Sequence, residues 1–206
     1  RYLMMRKKRI LFINPHLALM AKQNIDYSDY FPGGILSLAT VMHEKKYDVK
    51  IIDVNNIYVN LLRSNTFNED ELLKIICDQF KDYNPDYVGI GCMFSGSFKG
   101  LILIAKELKK INNKVPIIIG GIHPTIYPKD ILLRYPFIDY VLTGEAESTF
   151  PELLKNIEEK DYDVLRKLDG IAIRSPNNVH VNVKHEFIPE VDNIPFINYN
   201  LININD

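Results

Sequence analysis

Five short apolar runs rich in β-branched residues recur along the chain with longer helical patterns between them, and this alternation constrains the fold more than any other feature. The runs are Ile10 to Ile13, Val49 to Asp53, Tyr87 to Gly91, Val115 to Ile119 and Ile138 to Leu142. Four of them are continuous rather than alternating, the pattern of strands covered on both faces. Between the runs, Gly34 to Lys46 follows a Pro32-Gly33 breaker, and Asn68 to Tyr83 opens on Asn-Glu-Asp-Glu and stops before Asn84-Pro85. Ser97 to Ile111 places Leu101, Ile104, Ala105 and Leu108 on one helical face. Pro128 to Tyr135 carries proline in its first turn, and Glu147 to Lys160 is acidic at its start, as the helix dipole favours. Such alternation implies right-handed crossovers and predicts an α/β fold. The expected architecture is a flavodoxin-like (Rossmann-like), doubly wound, five-stranded parallel sheet in the order 2-1-3-4-5.

From Asp161 the pattern changes. Leu168 to Arg174 and Val179 to Val183 flank the turn signal Ser175-Pro176-Asn177-Asn178, which predicts a β-hairpin. Ile188-Pro189, Ile194-Pro195 and the Asn-rich stretch from Asn198 to Asp206 read as an extended tail or linker. The expected division is a first domain over 1–160 and a hairpin with linker over 161–206.

Charge and length then narrow the partners. At 206 residues and 47% apolar content, one α/β domain with a sizeable core is accommodated. The 25 basic and 26 acidic residues give a net charge of -1, which argues against nucleic acid as a partner. No apolar run approaches the ~20 residues that span a bilayer, and the start lacks a signal-peptide pattern, so no membrane is expected. Cys77 and Cys92 lie in apolar surroundings without metal-ligand spacing, which suits a reducing cytoplasm.

In a doubly wound sheet, ligands sit beyond the carboxyl ends of the strands, so the residues following each run carry the functional information. After the first run comes Asn14-Pro15 and a loop of about 17 residues, longer than the usual ~2–6. Cys92-Met93-Phe94-Ser95-Gly96-Ser97 follows the third, Gly120-Gly121-Ile122-His123-Pro124-Thr125 the fourth, and Thr143-Gly144-Glu145-Ala146-Glu147 the fifth. Glycines there admit a bulky ligand to the backbone, and helix N-termini offer N–H groups to phosphate or amide oxygens. Neither GxGxxG after the first run nor GxxxxGK[ST] is present, so a dinucleotide fingerprint and a P-loop are not supported. His123 has no Cys, His or Asp partner at metal spacing, and His16, His43, His180 and His185 read as surface or turn residues. Glu145 and Glu147 read as helix-start residues capping N–H groups, and Cys92 as a small core residue without a base beside it. No catalytic residue and no protein-built metal site are expected.

Taken in order, these segments resemble the cobalamin (B12)-binding N-terminal domain of B12-dependent radical S-adenosylmethionine (radical SAM) enzymes. The resemblance is carried by Phe31-Pro32-Gly33-Gly34-Ile35-Leu36-Ser37-Leu38-Ala39, by Tyr47 to Asp53, by Pro85 to Gly91, by Pro116 to Thr125 and by Asp139 to Glu147. Leu168 to Ala172 and Ile194-Pro195-Phe196 fit the hairpin and linker that precede the radical domain. The resemblance implies a corrinoid on the C-terminal edge of the sheet, with its nucleotide tail among the loops. The family pattern carries over to Pro32, Gly33, Gly34, Ser95, Ser97, Gly120, Gly121, His123, Thr125, Gly144 and Glu145 as cofactor-binding positions. It further implies a downstream radical SAM domain, with a 4Fe-4S cluster and S-adenosylmethionine, in a methyltransferase or cyclase-type enzyme. Two departures stand out. The Asp-x-His-x-x-Gly signature, whose histidine ligates cobalt in methionine-synthase-like domains, is missing, and so is the three-cysteine CxxxCxxC cluster motif. Either an N-terminal domain separated from its radical core or a truncated relative is therefore expected, and the Pro-punctuated tail, read as a linker, favours the former.

The alternatives are a flavodoxin-like signalling receiver and a flavin or nucleotide-binding module. A receiver places acidic residues after strand one and an Asp after strand three, where this chain has Asn14-Pro15 and Cys92-Met93.

Overall fold

The computed structural model describes residues 6–15, 31–176, 178–188 and 191–202. Most of the long loop after the first strand, His16 within it, Asn177 of the hairpin turn, Pro189, and 203–206 of the tail lie outside the described residues.

In chain order the elements are β1 (Arg9–Asn14), α1 (Gly33–Glu44), β2 (Asp48–Asp53), α2 (Val54–Arg63), α3 (Glu69–Tyr83) and β3 (Tyr87–Gly91). There follow α4 (Phe98–Ile111), β4 (Ile117–Gly120), α5 (Ile122–Ile126), α6 (Pro128–Arg134) and β5 (Tyr140–Leu142). The chain continues with α7 (Thr149–Glu159), α8 (Tyr162–Leu165), β6 (Ile171–Ser175) and β7 (Asn178–Val181).

All strands among the described residues join one sheet in the order β2-β1-β3-β4-β5-β6-β7. The strands from β1 to β5 pair parallel, while β6 and β7 add antiparallel. The expected five-stranded sheet is thus corrected to seven strands, because the hairpin extends the sheet instead of standing apart from it. The joint is held by Arg174, whose guanidinium donates to the carbonyls of Leu132, Tyr135 and Ile138. These carbonyls belong to the end of α6 and the turn after it, where helix acceptors run short of backbone donors, although the Tyr135 carbonyl also accepts from the Ile138 amide at 3.1 Å.

Both faces of the sheet are buried. Leu11 and Ile13 of β1 face Tyr58 of α2, Leu72, Ile76 and Phe80 of α3, and Leu101 and Ile104 of α4. Ile10 and Phe12 point the other way, toward Leu38 and Met42 of α1 and Phe150, Leu153 and Leu154 of α7. Burial on both sides is why the central strands β1, β3 and β4 lack polar alternation, whereas the edge strand β7 alternates exposed and buried residues.

Helix α2 was not anticipated from the sequence. Three of its residues are asparagine (Asn55, Asn56, Asn60), which is a poor helix former. It forms because the Asp53 side chain caps the Asn55 amide and because Val54 and Tyr58 bury at a spacing of i, i+4. Among the described residues no helix is long and apolar enough to cross a membrane.

Candidate functional site

Strand order reverses between β1 and β3, whose crossovers lead to opposite sides of the sheet order. A cavity of about 480 Å³ opens at this point, within the ~300–1,000 Å³ of small-molecule sites. Its floor is Phe12, Gly89 and Phe150. Gly89 is a packing glycine: a Cβ there would sit 2.7 Å from the Phe12 ring, which in turn lies 5.3 Å, centroid to centroid, from the ring of Phe150. A mid-strand glycine is the sequence signal for such an approach.

The walls come from four loops. Pro32, Gly33 and Gly34 open α1; Gly120, Gly121 and Thr125 follow β4; Gly144 and Glu145 follow β5; and Phe187 closes the outside. The glycines fall into two kinds. Gly121 has a φ of +105°, and a Cβ on it would come within 2.5 Å of the Cys92 carbonyl oxygen, so the fold itself requires glycine. Gly144, with a φ of +69°, has the Lys184 side chain 2.9 Å from the same point. By contrast, a Cβ on Gly34 would meet nothing within 4 Å, and on Gly33 and Gly120 nothing nearer than 3.9 and 3.7 Å. Bare backbone at those three positions is not demanded by the protein's own packing. It leaves room along the cavity for a ligand.

Hydrogen bonds lock the loops together. Thr125 donates to the Gly121 carbonyl at 2.8 Å and accepts from the Gly144 amide at 3.0 Å, joining the loops after β4 and β5. Ser37 of α1 donates to Glu147 at 2.9 Å, and the Ile188 amide donates to Glu145 at 3.0 Å. The two glutamates therefore tie separate walls together instead of capping α7, whose first turn has no side-chain cap. At β1, Asn14 donates to the Asp53 carboxylate at 3.1 Å. Burial raises the Asp53 pKa, and the bonds from Asn14 and the Asn55 and Asn56 amides counter only part of that.

Of the residues singled out in the sequence, Pro32, Gly33, Gly34, Gly120, Gly121, Thr125, Gly144 and Glu145 all line the cavity. Ser95, Ser97 and His123 lie beside it and are not wall residues. Ser97 is buried and donates to the Phe94 carbonyl at 2.8 Å. His123 Nδ1 is 2.9 Å from the Ser95 hydroxyl, and its ring is flanked by Phe98 at 4.3 Å and Tyr127 at 5.2 Å. Burial lowers the His123 pKa, which favours the neutral imidazole. Phe12, Phe150 and Phe187 were missed. The first two look like ordinary core residues, and Phe187 sits in a segment with no regular pattern.

The chemistry of the wall is that of a binding site. It is mostly apolar, its two carboxylates are engaged in holding loops, and Cys92 has its thiol pushed up by burial with no base beside it. Among the described residues no three His, Cys, Asp or Glu side chains cluster as for a metal ion. An apolar rim extends outward through Met93 (47% exposed), Ile122 (57%) and Ile126 (60%).

A family model described as the B12 binding domain matches residues 26–154. The chain is 33% identical over 171 residues to an uncharacterized methyltransferase of Pyrococcus horikoshii, covering 83% of this chain and 34% of that protein. It is 27% identical over 188 residues to the anaerobic magnesium-protoporphyrin IX monomethyl ester cyclase of Synechocystis sp., covering 89% of this chain and 34% of the relative. The chain thus spans about a third of the length of these curated relatives. Among solved structures, the fold is similar to that of the radical S-adenosylmethionine methyltransferase TsrM from Kitasatospora setae, which has cobalamin and a 4Fe-4S cluster bound. The TM-score is 0.65 at 18% identity, over 89% of this chain and 30% of that one. The cobalamin-dependent S-adenosylmethionine radical enzyme OxsB, with aqua-cobalamin and S-adenosylmethionine bound, aligns at a TM-score of 0.60 and 19% identity, over 88% of this chain and 23% of that one. At these identities the structural likeness speaks to fold.

Proposed function

The chain belongs to the B12 binding domain family, and on that premise we propose that it holds cobalamin at the C-terminal edge of its sheet. The nucleotide tail enters the cavity between β1 and β3, and the corrin ring rests on the apolar rim. The observation that carries this reading is the pairing of that cavity with the bare backbone of Gly33, Gly34 and Gly120, which the fold's own packing does not require. In this reading the amides at the start of α1 and in the loops after β4 and β5 face the polar atoms of the tail, while Phe12 and Phe150 floor its aromatic base. Pro32 sets the entry to α1, Gly121 and Gly144 shape the loops, and Thr125 and Glu145 hold those loops in place. Ser95, Ser97 and His123 fix the segments after β3 and β4 from the side.

Bound cobalamin supplies a cobalt centre for methyl-transfer or rearrangement chemistry. This chain contributes binding, orientation and exclusion of water. As part of a whole protein we assign it to a methyltransferase or cyclase-type radical SAM enzyme of the cytoplasm, acting beside a downstream domain that carries the 4Fe-4S cluster and S-adenosylmethionine. Its two cysteines are too few for a three-cysteine cluster motif, so in this reading the cluster belongs to that partner domain. In this reading residues 1–160 supply most of the corrinoid-binding body, Phe187 closes its outside, and 161–206 carry the hairpin and the stretch toward that domain.

The test is a visible-absorption titration of the purified chain with hydroxocobalamin, followed by desalting. Stoichiometric retention of a corrinoid with a base-off spectrum is the expected result. Folded protein that passes the column colourless, or that copurifies with a yellow flavin instead, overturns the assignment.

A further inference from the structure

Residues 184–188 do not lead away from the domain. They fold back over the turn between β5 and α7 and are pinned there by buried charge. The Lys184 side chain is 6% exposed, and its ammonium lies 3.6 Å from Asp169 Oδ2. It donates to Thr149 at 2.8 Å and to Ser148 at 3.1 Å. A buried ammonium is tolerated where such partners surround it, and here they hold Lys184 at the start of α7. Asp169 also accepts from the amides of His185 at 3.0 Å and Glu186 at 2.9 Å, and Glu145 accepts from that of Ile188. Between these fixed points the Phe187 ring is set against Gly144, where it forms the outer wall of the cavity. On the opposite side, the Asn198 amide donates to Thr40 of α1 at 3.0 Å, and the Tyr199 ring backs Phe31, another wall residue, at 5.9 Å. The segment after the hairpin therefore touches the cavity from two directions.

We propose that residues 184–188, together with 198 and 199, form a strap that governs how fast the cavity releases its ligand. Lys184 is the positioning residue that keeps Phe187 on the wall. The inference rests on the cobalamin reading above. Lys184 touches no ligand in this arrangement and acts only through the strap. Because variants of one binding site differ mostly in dissociation rather than encounter, the strap is read in release.

The experiment loads the full chain with hydroxocobalamin and follows release into cobalamin-free buffer for the wild type, Lys184→Met and Phe187→Ala. Amide hydrogen exchange at 185, 186 and 188 is measured with and without cobalamin. Phe187 is 60% exposed, so its truncation leaves the fold intact and keeps the test valid if Lys184→Met unfolds. The expected outcome is roughly tenfold faster release from each variant at an unchanged association rate, with the three amides protected by cobalamin in the wild type. Wild-type release from Phe187→Ala, or amides indifferent to cobalamin, overturns the strap while leaving cobalamin binding standing. A wild-type chain that retains no cobalamin overturns the binding reading and the strap with it.

Discussion

Ser37 of α1 donates a hydrogen bond to Glu147, beyond the end of β5, at 2.9 Å across 110 residues of sequence. This bond couples the helix that presents Gly33 and Gly34 to the loop that presents Gly144 and Glu145. The bond thus ties a lining carboxylate to Ser37, which lies outside the lining.

Ser37→Ala removes that tie. A part-buried bond of this kind contributes about 1 kcal/mol to stability, more where the acceptor is charged. Urea denaturation is expected to show a loss of this order. Cobalamin is expected to bind several-fold more weakly, because the opening of α1 is no longer held. Unchanged affinity in a variant that is measurably less stable would show that the tie serves the fold alone.

The two kinds of glycine separate ligand space from fold requirement. Gly34→Ala is expected to leave stability unchanged or raise it by up to about 1 kcal/mol, since alanine is the better helix former and its Cβ meets nothing. The same substitution is expected to weaken cobalamin retention. Gly121→Ala forces a left-handed conformation and a clash with the Cys92 carbonyl, at a cost of about 2 kcal/mol or more. Thermal melts paired with absorbance after desalting distinguish the two, and a Gly34→Ala chain that retains cobalamin like the wild type would remove the steric argument.

His123 is expected to titrate below the ordinary ~6.5 of histidine, because burial between Phe98 and Tyr127 disfavours its charged form. The folded pKa is lowered, so the folded state binds fewer protons than the unfolded one at intermediate pH. The associated stability is fully present above the unfolded pKa and is lost as pH falls through the folded value. An NMR titration of the imidazole gives the midpoint, and a value at or above that of a histidine peptide would contradict this environment.

Arg174→Lys tests the joint between hairpin and sheet. A lysine has no planar fork and cannot reach the carbonyls of Leu132, Tyr135 and Ile138 together. A loss of roughly 2 kcal/mol is expected as the Leu132 and Ile138 carbonyls lose their charged donor, while the Tyr135 carbonyl keeps the Ile138 amide. Hydrogen exchange should localise the loosening to β6, β7 and the end of α6. Uniform loosening across β1 and β3 would point to a different role.

Much of the architecture follows from local pattern. Ile10 to Ile13, Tyr87 to Gly91 and the apolar face of α4 announce their periods within a single window, because side-chain burial repeats at about 2 or 3.6 residues whatever lies elsewhere. The glycine and proline positions at the strand ends were legible for the same reason, and eight of the eleven singled-out residues line the cavity. Helix α2 was hidden because the asparagines that weaken its propensity are outweighed by the Asp53 cap and by the burial of Tyr58 against the sheet.

What only the tertiary structure decided are the contacts between distant segments. The hairpin joins the sheet because Arg174 meets carbonyls 36 to 42 residues earlier in the chain. Glu145 and Glu147 look like helix-start residues in sequence, yet they hold Ile188 and Ser37, at separations of 43 and 110 residues. Phe187 lines the cavity from the same segment whose Lys184 is buried against Ser148 and Thr149. Periodicity records which face of an element is buried. It carries no record of which distant group a carboxylate or an ammonium will meet, since that depends on how completed elements pack.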